Sequence, residues 1–302
     1  MKRALLILAA LCSASAAVAT DYVPSTKNER AFAAILEEHQ AYNTRLQKVA
    51  APLFKANTEL CPRNRRDIGI TVHTVSDYQP NLQPFAEVIM GASERLSIRT
   101  VRDSSPAAQA GLKTGDVIIG VNGAYLPRGF TVQRFFGLAT QNAFKDDSAE
   151  LKIRRGDKRL DIKVNPETLC DYPANVFFNE RVNGHTDGEQ IIITSELMKT
   201  VPDDVNLALI IAHEMAHAIK GHQRRNKSLE LEADRMALMM MARAGYDIDR
   251  AISYWRDALH PHAELQETSK THPSIAERYE NFRKEQLRIN ALIAARKPLS
   301  LN

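Results

Sequence analysis

Apolar residues recur at near-helical intervals in an otherwise polar N-terminal stretch: Ala31, Ile35, Leu36, Tyr42, Leu46 and Val49. This spacing predicts a helix over about 27–56, and Cys61-Pro62 breaks it. From 67 to about 167 the pattern changes to short β-prone runs at 68–75, 96–101, 117–121, 151–155 and 160–164. Asn122-Gly123 and Gly156-Asp157 are turn pairs between such runs, and one helix is predicted over 132–143. After Pro173 a β-branched run, 190–194, precedes Pro202-Asp203-Asp204, which opens a long helix with Gly221 as its stop. A second helix follows from Glu230 to about Ala244 and ends at Gly245. The fold class expected is α+β: a mainly helical domain interrupted by a small β-rich one.

The first nineteen positions read as a targeting segment rather than as fold. Met1-Lys2-Arg3 is a basic start, 4–11 is apolar, and small residues run to Ala17-Val18-Ala19. This three-part layout is that of a secretory signal peptide, cleaved after Ala19. The apolar stretch is shorter than the roughly 20 residues a spanning helix needs, and no later segment reaches that length. Cys12 as a lipid acceptor is disfavoured by the bulky Leu11 before it. The expected division is 1–19 signal, 27–61 helical arm, 67–167 β-rich domain and 168–302 helical domain, in an exported, periplasmic protein.

Composition narrows the classes further. The chain has 302 residues, 44% of them hydrophobic, enough for one large core or two smaller ones. Its net charge of +4 is spread along the chain, without the long basic runs that nucleic-acid binding calls for. Beyond Cys12 there are two cysteines, Cys61 and Cys170, one on each side of the β-rich block. In an oxidising compartment such a pair reads as a disulfide closing the neck of an inserted domain; two buried thiols are the alternative.

The chemistry lies in His213-Glu214-Met215-Ala216-His217. Two imidazoles four residues apart on a helix share a face and together can bind a single zinc ion, each at about 2.0–2.1 Å from it. Glu214 stands about 100° around the helix, where its carboxylate reaches a zinc-bound water rather than the metal, as a general base does. Chance is a poor explanation, since this composition yields only about 0.02 such motifs per chain. A catalytic zinc needs a third protein ligand. Glu230 and Asp234 share a face of the next helix, so Glu230 is the expected ligand and Asp234 the partner that orients a ligand imidazole. Glu232 points elsewhere and reads as a solvated charge, and Met236, Leu238, Met239 and Met240 read as packing. His185, His222, His260 and His262 read as surface or loop residues.

Three segments in this order, His213 to His217, Glu230 to Asp234, and Thr271-His272-Pro273 followed by Glu277-Arg278, resemble the HtpX and CAAX prenyl protease family, family forty-eight of the metallopeptidases and a gluzincin group. The resemblance covers about 173–285. It implies zinc ligands His213, His217 and Glu230, one ion per chain, and Glu214 as base. With no spanning segments, the chain is similar to a soluble, exported branch. The resemblance also puts His272 near the metal, as oxyanion stabiliser or as a blocking zinc ligand, against a plain helix-start histidine. The segment from Ser105 to Gly123 resembles a PDZ domain of the HtrA type, which implies that the Ile68-Gly69-Ile70 loop receives a peptide C-terminus. A domain that only shields the active site is the other reading.

The function expected is zinc-dependent endoproteolysis of exported or misfolded envelope polypeptides. The run 190–194 is expected to offer an edge to an extended substrate. The competing class is a peptide-binding or chaperone-like module with a latent or structural zinc site.

Overall fold

The computed structural model describes residues 26–222, 226–258 and 273–300. The signal segment with Cys12, and His260, His262 and His272, lie outside the described residues. No helix among the described residues is long and apolar enough to cross a membrane.

Helix α1 (Lys27–Ala56) starts at a capping box, in which Thr26 accepts from the Glu29 N–H and Glu29 accepts from the Thr26 N–H. Its C-terminal half buries Leu46, Val49, Leu53 and Phe54 in the core of the C-terminal domain. Its N-terminal half instead meets α2 (Gln83–Met90) through Leu36, Ala86 and Ala92, with Phe32 stacked near Phe85. Ile35, though it fits the helical period, faces outward.

The neck is a two-stranded ribbon of β1 (Asn64–Asp67) and β8 (Glu167–Cys170), antiparallel, with Asn64 opposite Cys170. A disulfide joins Cys61 to Cys170 there, with Cα atoms 5.7 Å apart. Between the neck strands lies a sheet of β2 (Ile70–His73), β3 (Ser97–Val101), β4 (Val117–Val121), β6 (Ala149–Arg155) and β7 (Lys158–Val164), in that order, with β5 (Ala124–Tyr125) paired to β4. The short helix α3 (Pro106–Gln109) and the amphipathic helix α4 (Val132–Ala143) close its core of Leu96, Ile98, Ile118, Leu151 and Ile153. The run 68–75 gives only the four-residue strand β2, because Thr74 and Asp77 form a capping box that starts a 3-10 turn.

The C-terminal domain carries a second sheet, β9 (Ala174–Phe177), β10 (Gly184–Thr186) and β11 (Ile191–Thr194), in the order β10-β11-β9. This corrects the reading of 190–194 as a substrate edge. Strand β11 is central, paired antiparallel to β10 and parallel to β9, so its main-chain groups are already engaged on both sides. The short helix α5 (Ser195–Thr200) leads into α6 (Asp204–Lys220), which packs with α7 (Lys227–Arg243) and α8 (Ile248–Ala258), and α9 (Ile275–Ala294) packs in turn on α7 and α8. The whole is α+β, as the alternation of patterns predicts.

Candidate metal centre

Asp203 caps α6, its Oδ1 accepting from the Val205 N–H at 2.8 Å. The helix buries Leu207, Ile211, Met215 and Ala216 on one side and turns half-buried His213, Glu214 and His217 toward a cavity of about 240 Å³. Gly221, at φ +65°, ends it in the left-handed conformation that side chains with a Cβ avoid. Asn226 starts α7 by accepting from the Leu229 N–H. The hairpin thus returns the first turn of α7 to the histidines, with Glu230 only 3% exposed.

Three donor atoms converge. His213 Nε2 and His217 Nε2 are 3.1 Å apart, His213 Nε2 is 3.4 Å from Glu230 Oε2, and His217 Nε2 is 3.6 Å from Glu230 Oε1. Ligands at about 2.0–2.1 Å from a tetrahedral zinc stand about 3.3–3.4 Å from one another. The observed edges bracket that value, so two imidazoles and one carboxylate fit a zinc ion in chemistry and in spacing.

The electrostatics point the same way. Burial opposes charge on His213, but hydrogen bonds to the Asp234 and Glu230 carboxylates outweigh it and raise its pKa to about 9. Burial works against ionised Glu230 too, yet its hydrogen bonds with His213 and His217 hold it far below the usual carboxylate range. Without metal these groups gather a proton; the site is built around positive charge.

Each imidazole has an outer partner. Fully buried Asp234 places Oδ1 3.0 Å from His213 Nδ1. Despite burial, the nearby Arg278 charge keeps Asp234 ionised, with Arg278 Nε donating to Oδ2 at 2.8 Å. Arg278 in turn lies 4.2 Å over the Trp255 ring. On the other side, His217 Nδ1 is 3.0 Å from His222 Nδ1, while His222 Nε2 stands 3.6 Å from Glu232 Oε2 and Glu232 Oε1 2.8 Å from Lys220 Nζ.

His222 lies in the loop just past Gly221, as read, and Glu232 is partly exposed, but both also belong to the surroundings of His217, a contact the sequence reading did not give them. The signal was present in the sequence. Gly221-His222 after a helix is the ending in which the residue past the glycine folds back on the last turn, and His222 N–H donates to His217 O at 3.0 Å. Arg278 and Trp255 also went unassigned. The buried, acidic Asp234 called for a cation, but nothing local said which one. His185 sits on β10, opposite Ile192 of β11, and its ring contacts the Asn183 side chain at 3.3 Å.

The outer edge of β10 borders the cavity, with Asn183, Gly184 and Thr186 in its wall. A Cβ on Gly184 would lie 3.1 Å from Ile210 and 3.3 Å from Ile193, so glycine lets this strand approach α6 closely.

Comparison with known proteins assigns both domains. Residues 173–229 and 226–286 match the model for peptidase family M48, and residues 66–165 match that for the PDZ domain. The chain is 30% identical over 91 residues to a putative serine protease, HhoA, of Synechocystis sp. (strain ATCC 27184 / PCC 6803 / Kazusa); the match takes in 30% of this chain and 22% of that protein. Among solved structures, the HtrA3 PDZ domain bound to a phage-derived ligand is 26% identical, covering 35% of this chain and 88% of that one at a TM-score of 0.26. The HtrA-type protease AlgW with a decapeptide is 20% identical, covering 35% and 30%, also at 0.26.

Proposed function

This chain is a metallopeptidase of family M48 carrying a PDZ domain, and we propose that it is a zinc-dependent endopeptidase. The observation that carries this reading is the convergence of His213, His217 and Glu230 within 3.1–3.6 Å, with Glu214 on the same cavity wall. A zinc ion held there supplies a Lewis acid for the scissile carbonyl and brings the pKa of water to about 7.

The chain's own groups do the rest. Glu214 takes the proton of the attacking water and passes it to the leaving amine. Asp234 accepts from His213 Nδ1–H, which leaves Nε2 free to ligate, and Arg278 keeps Asp234 ionised for that task. His217 Nδ1–H donates to His222 Nδ1, so His222 carries its own proton on Nε2, toward Glu232. An extended substrate adds to the outer edge of β10, the strand that borders the cavity.

The PDZ domain supplies the selection. Strand β2 ends the sheet, and between it and α4 lies a concavity of about 470 Å³ lined by Ile68, Ile70, Phe136, Thr140 and Phe144. This groove receives an exposed polypeptide C-terminus. The Asp67 carboxylate already accepts from the Gly69 N–H at 2.7 Å, so an incoming carboxylate competes with it, helped by Arg66 and Lys145 in the lining. The natural substrates on this reading are exported or misfolded envelope chains.

The test is casein degradation by the chain without residues 1–19, with and without a zinc chelator, beside Glu214→Gln. The expected outcome is cleavage that the chelator abolishes and that falls about 10²–10⁴-fold in the variant while one zinc stays bound. Full activity in Glu214→Gln refutes the assignment.

A further inference from the structure

The PDZ domain carries a second concavity that proteolysis and peptide capture leave unused. Arg95 lies just before β3, Arg128 follows β5, Arg154 is on β6 and Arg159 on β7. With Ile119, Tyr125 and Leu126 they line a cavity of about 470 Å³. Arg154 and Arg159 are directly opposed across the antiparallel ladder, an arrangement in which like charges repel. Neighbours on the same strand have acidic partners: Lys152 pairs with Asp161 and Glu150, and Arg155 with Asp116. None of the four arginines is paired with a carboxylate among the described residues. Burial and the other three guanidinium groups all depress the Arg95 pKa.

A sheet that sets arginine opposite arginine around a hollow is destabilised unless an anion fills it. Guanidinium forks match phosphate oxygens in pairs, which a lone carboxylate between four such forks does not exploit as fully. Apolar surface is at hand: Tyr125, in the lining, is 69% exposed, and Phe130, two residues past Arg128 in sequence, is 86% exposed. Aromatic rings beside arginines are the composition that settles at the headgroup level of a bilayer. We propose that Arg95, Arg128, Arg154 and Arg159 bind the phosphate of an anionic lipid headgroup, seating the PDZ domain on a membrane surface with Tyr125 and Phe130 at the interface. This cavity and the peptide groove share no lining residue, so both can be filled at once.

The experiment uses the chain without residues 1–19 and vesicle flotation at physiological ionic strength, comparing phosphatidylglycerol–phosphatidylcholine vesicles with pure phosphatidylcholine. Binding is expected to the anionic vesicles alone and to be displaced by inorganic phosphate. The variant Arg154→Gln/Arg159→Gln is expected to weaken it about 30-fold, roughly 5-fold per arginine, with casein cleavage unchanged. Lys113→Gln/Lys163→Gln removes the same charge from the same domain outside the cavity and leaves binding as it was. Phe130→Ser weakens vesicle binding but not that of inorganic phosphate. Equal losses in the two double variants would reduce the effect to general surface charge and overturn the site. Binding of inorganic phosphate with no binding to the anionic vesicles, or preference for an oligonucleotide over vesicles, would overturn the lipid assignment.

Discussion

At the residue scale the two ligand imidazoles are held by unlike partners. His213 leans on a buried carboxylate, Asp234, locked by Arg278; His217 leans on another imidazole, His222, backed by Glu232. Outer partners of this kind are worth about 10–100-fold in metal affinity. His222→Ala is expected to weaken zinc binding within that range, read by competition with a chromophoric chelator, while the helix itself stays folded. The pH behaviour of the metal-free chain follows from His213. Its folded pKa of about 9 lies above the ordinary 6.5. The proton therefore adds stability that is complete below pH 6.5 and is lost as pH rises through about 9. The Tm of the metal-free chain is expected to fall from pH 6.5 to 9, and bound zinc to remove that slope. A flat Tm for the metal-free chain over this window would contradict the electrostatic account of His213.

At the element scale the site is a helical hairpin whose two ends are specified by caps. Gly221 ends α6 and Asn226 begins α7, and Glu230 sits in the first turn after that cap. Loss of an Asn cap costs about 1 kcal/mol, here in the turn that carries a ligand. Asn226→Ala is expected to raise amide exchange at the start of α7 and to weaken zinc binding several-fold, with the PDZ domain unaffected. The same scale explains the strand correction. A β-branched run such as 190–194 announces a strand, but its position within the sheet depends on β9 and β10, which are short and weakly patterned.

At the scale of the whole molecule, α1 holds the two domains together. Arg99 on β3 donates from Nε to Gln40 Oε1 at 2.6 Å and from Nη2 to His39 Nδ1 at 2.9 Å, and His39 Nε2–H donates to Val176 O on β9 at 3.3 Å. Burial and the Arg99 charge keep His39 neutral, as this chain of bonds requires. The disulfide makes a second tie, closing a loop of 109 residues at the neck. Cross-links over such loops are worth up to about 4.7 kcal/mol on the chain-entropy model. Cys61→Ser/Cys170→Ser is expected to lose about 2–5 kcal/mol by urea denaturation, yet to keep its zinc, because the ligands lie on α6 and α7 rather than at the neck.

What the sequence by itself determined is local or periodic. The helical spacing of α1, the four-residue interval of His213 and His217, the shared face of Glu230 and Asp234, the caps of α6 and the change of texture at the β-rich block are all written within a few turns of chain. Only the tertiary structure decided which strand borders the cavity, that Arg278, 44 residues away, is the partner of Asp234, and that Arg154 and Arg159 converge with Arg95 and Arg128. Those choices rest on contacts between distant segments, and a hydrophobic period reports which face of an element is buried, not what is packed against it.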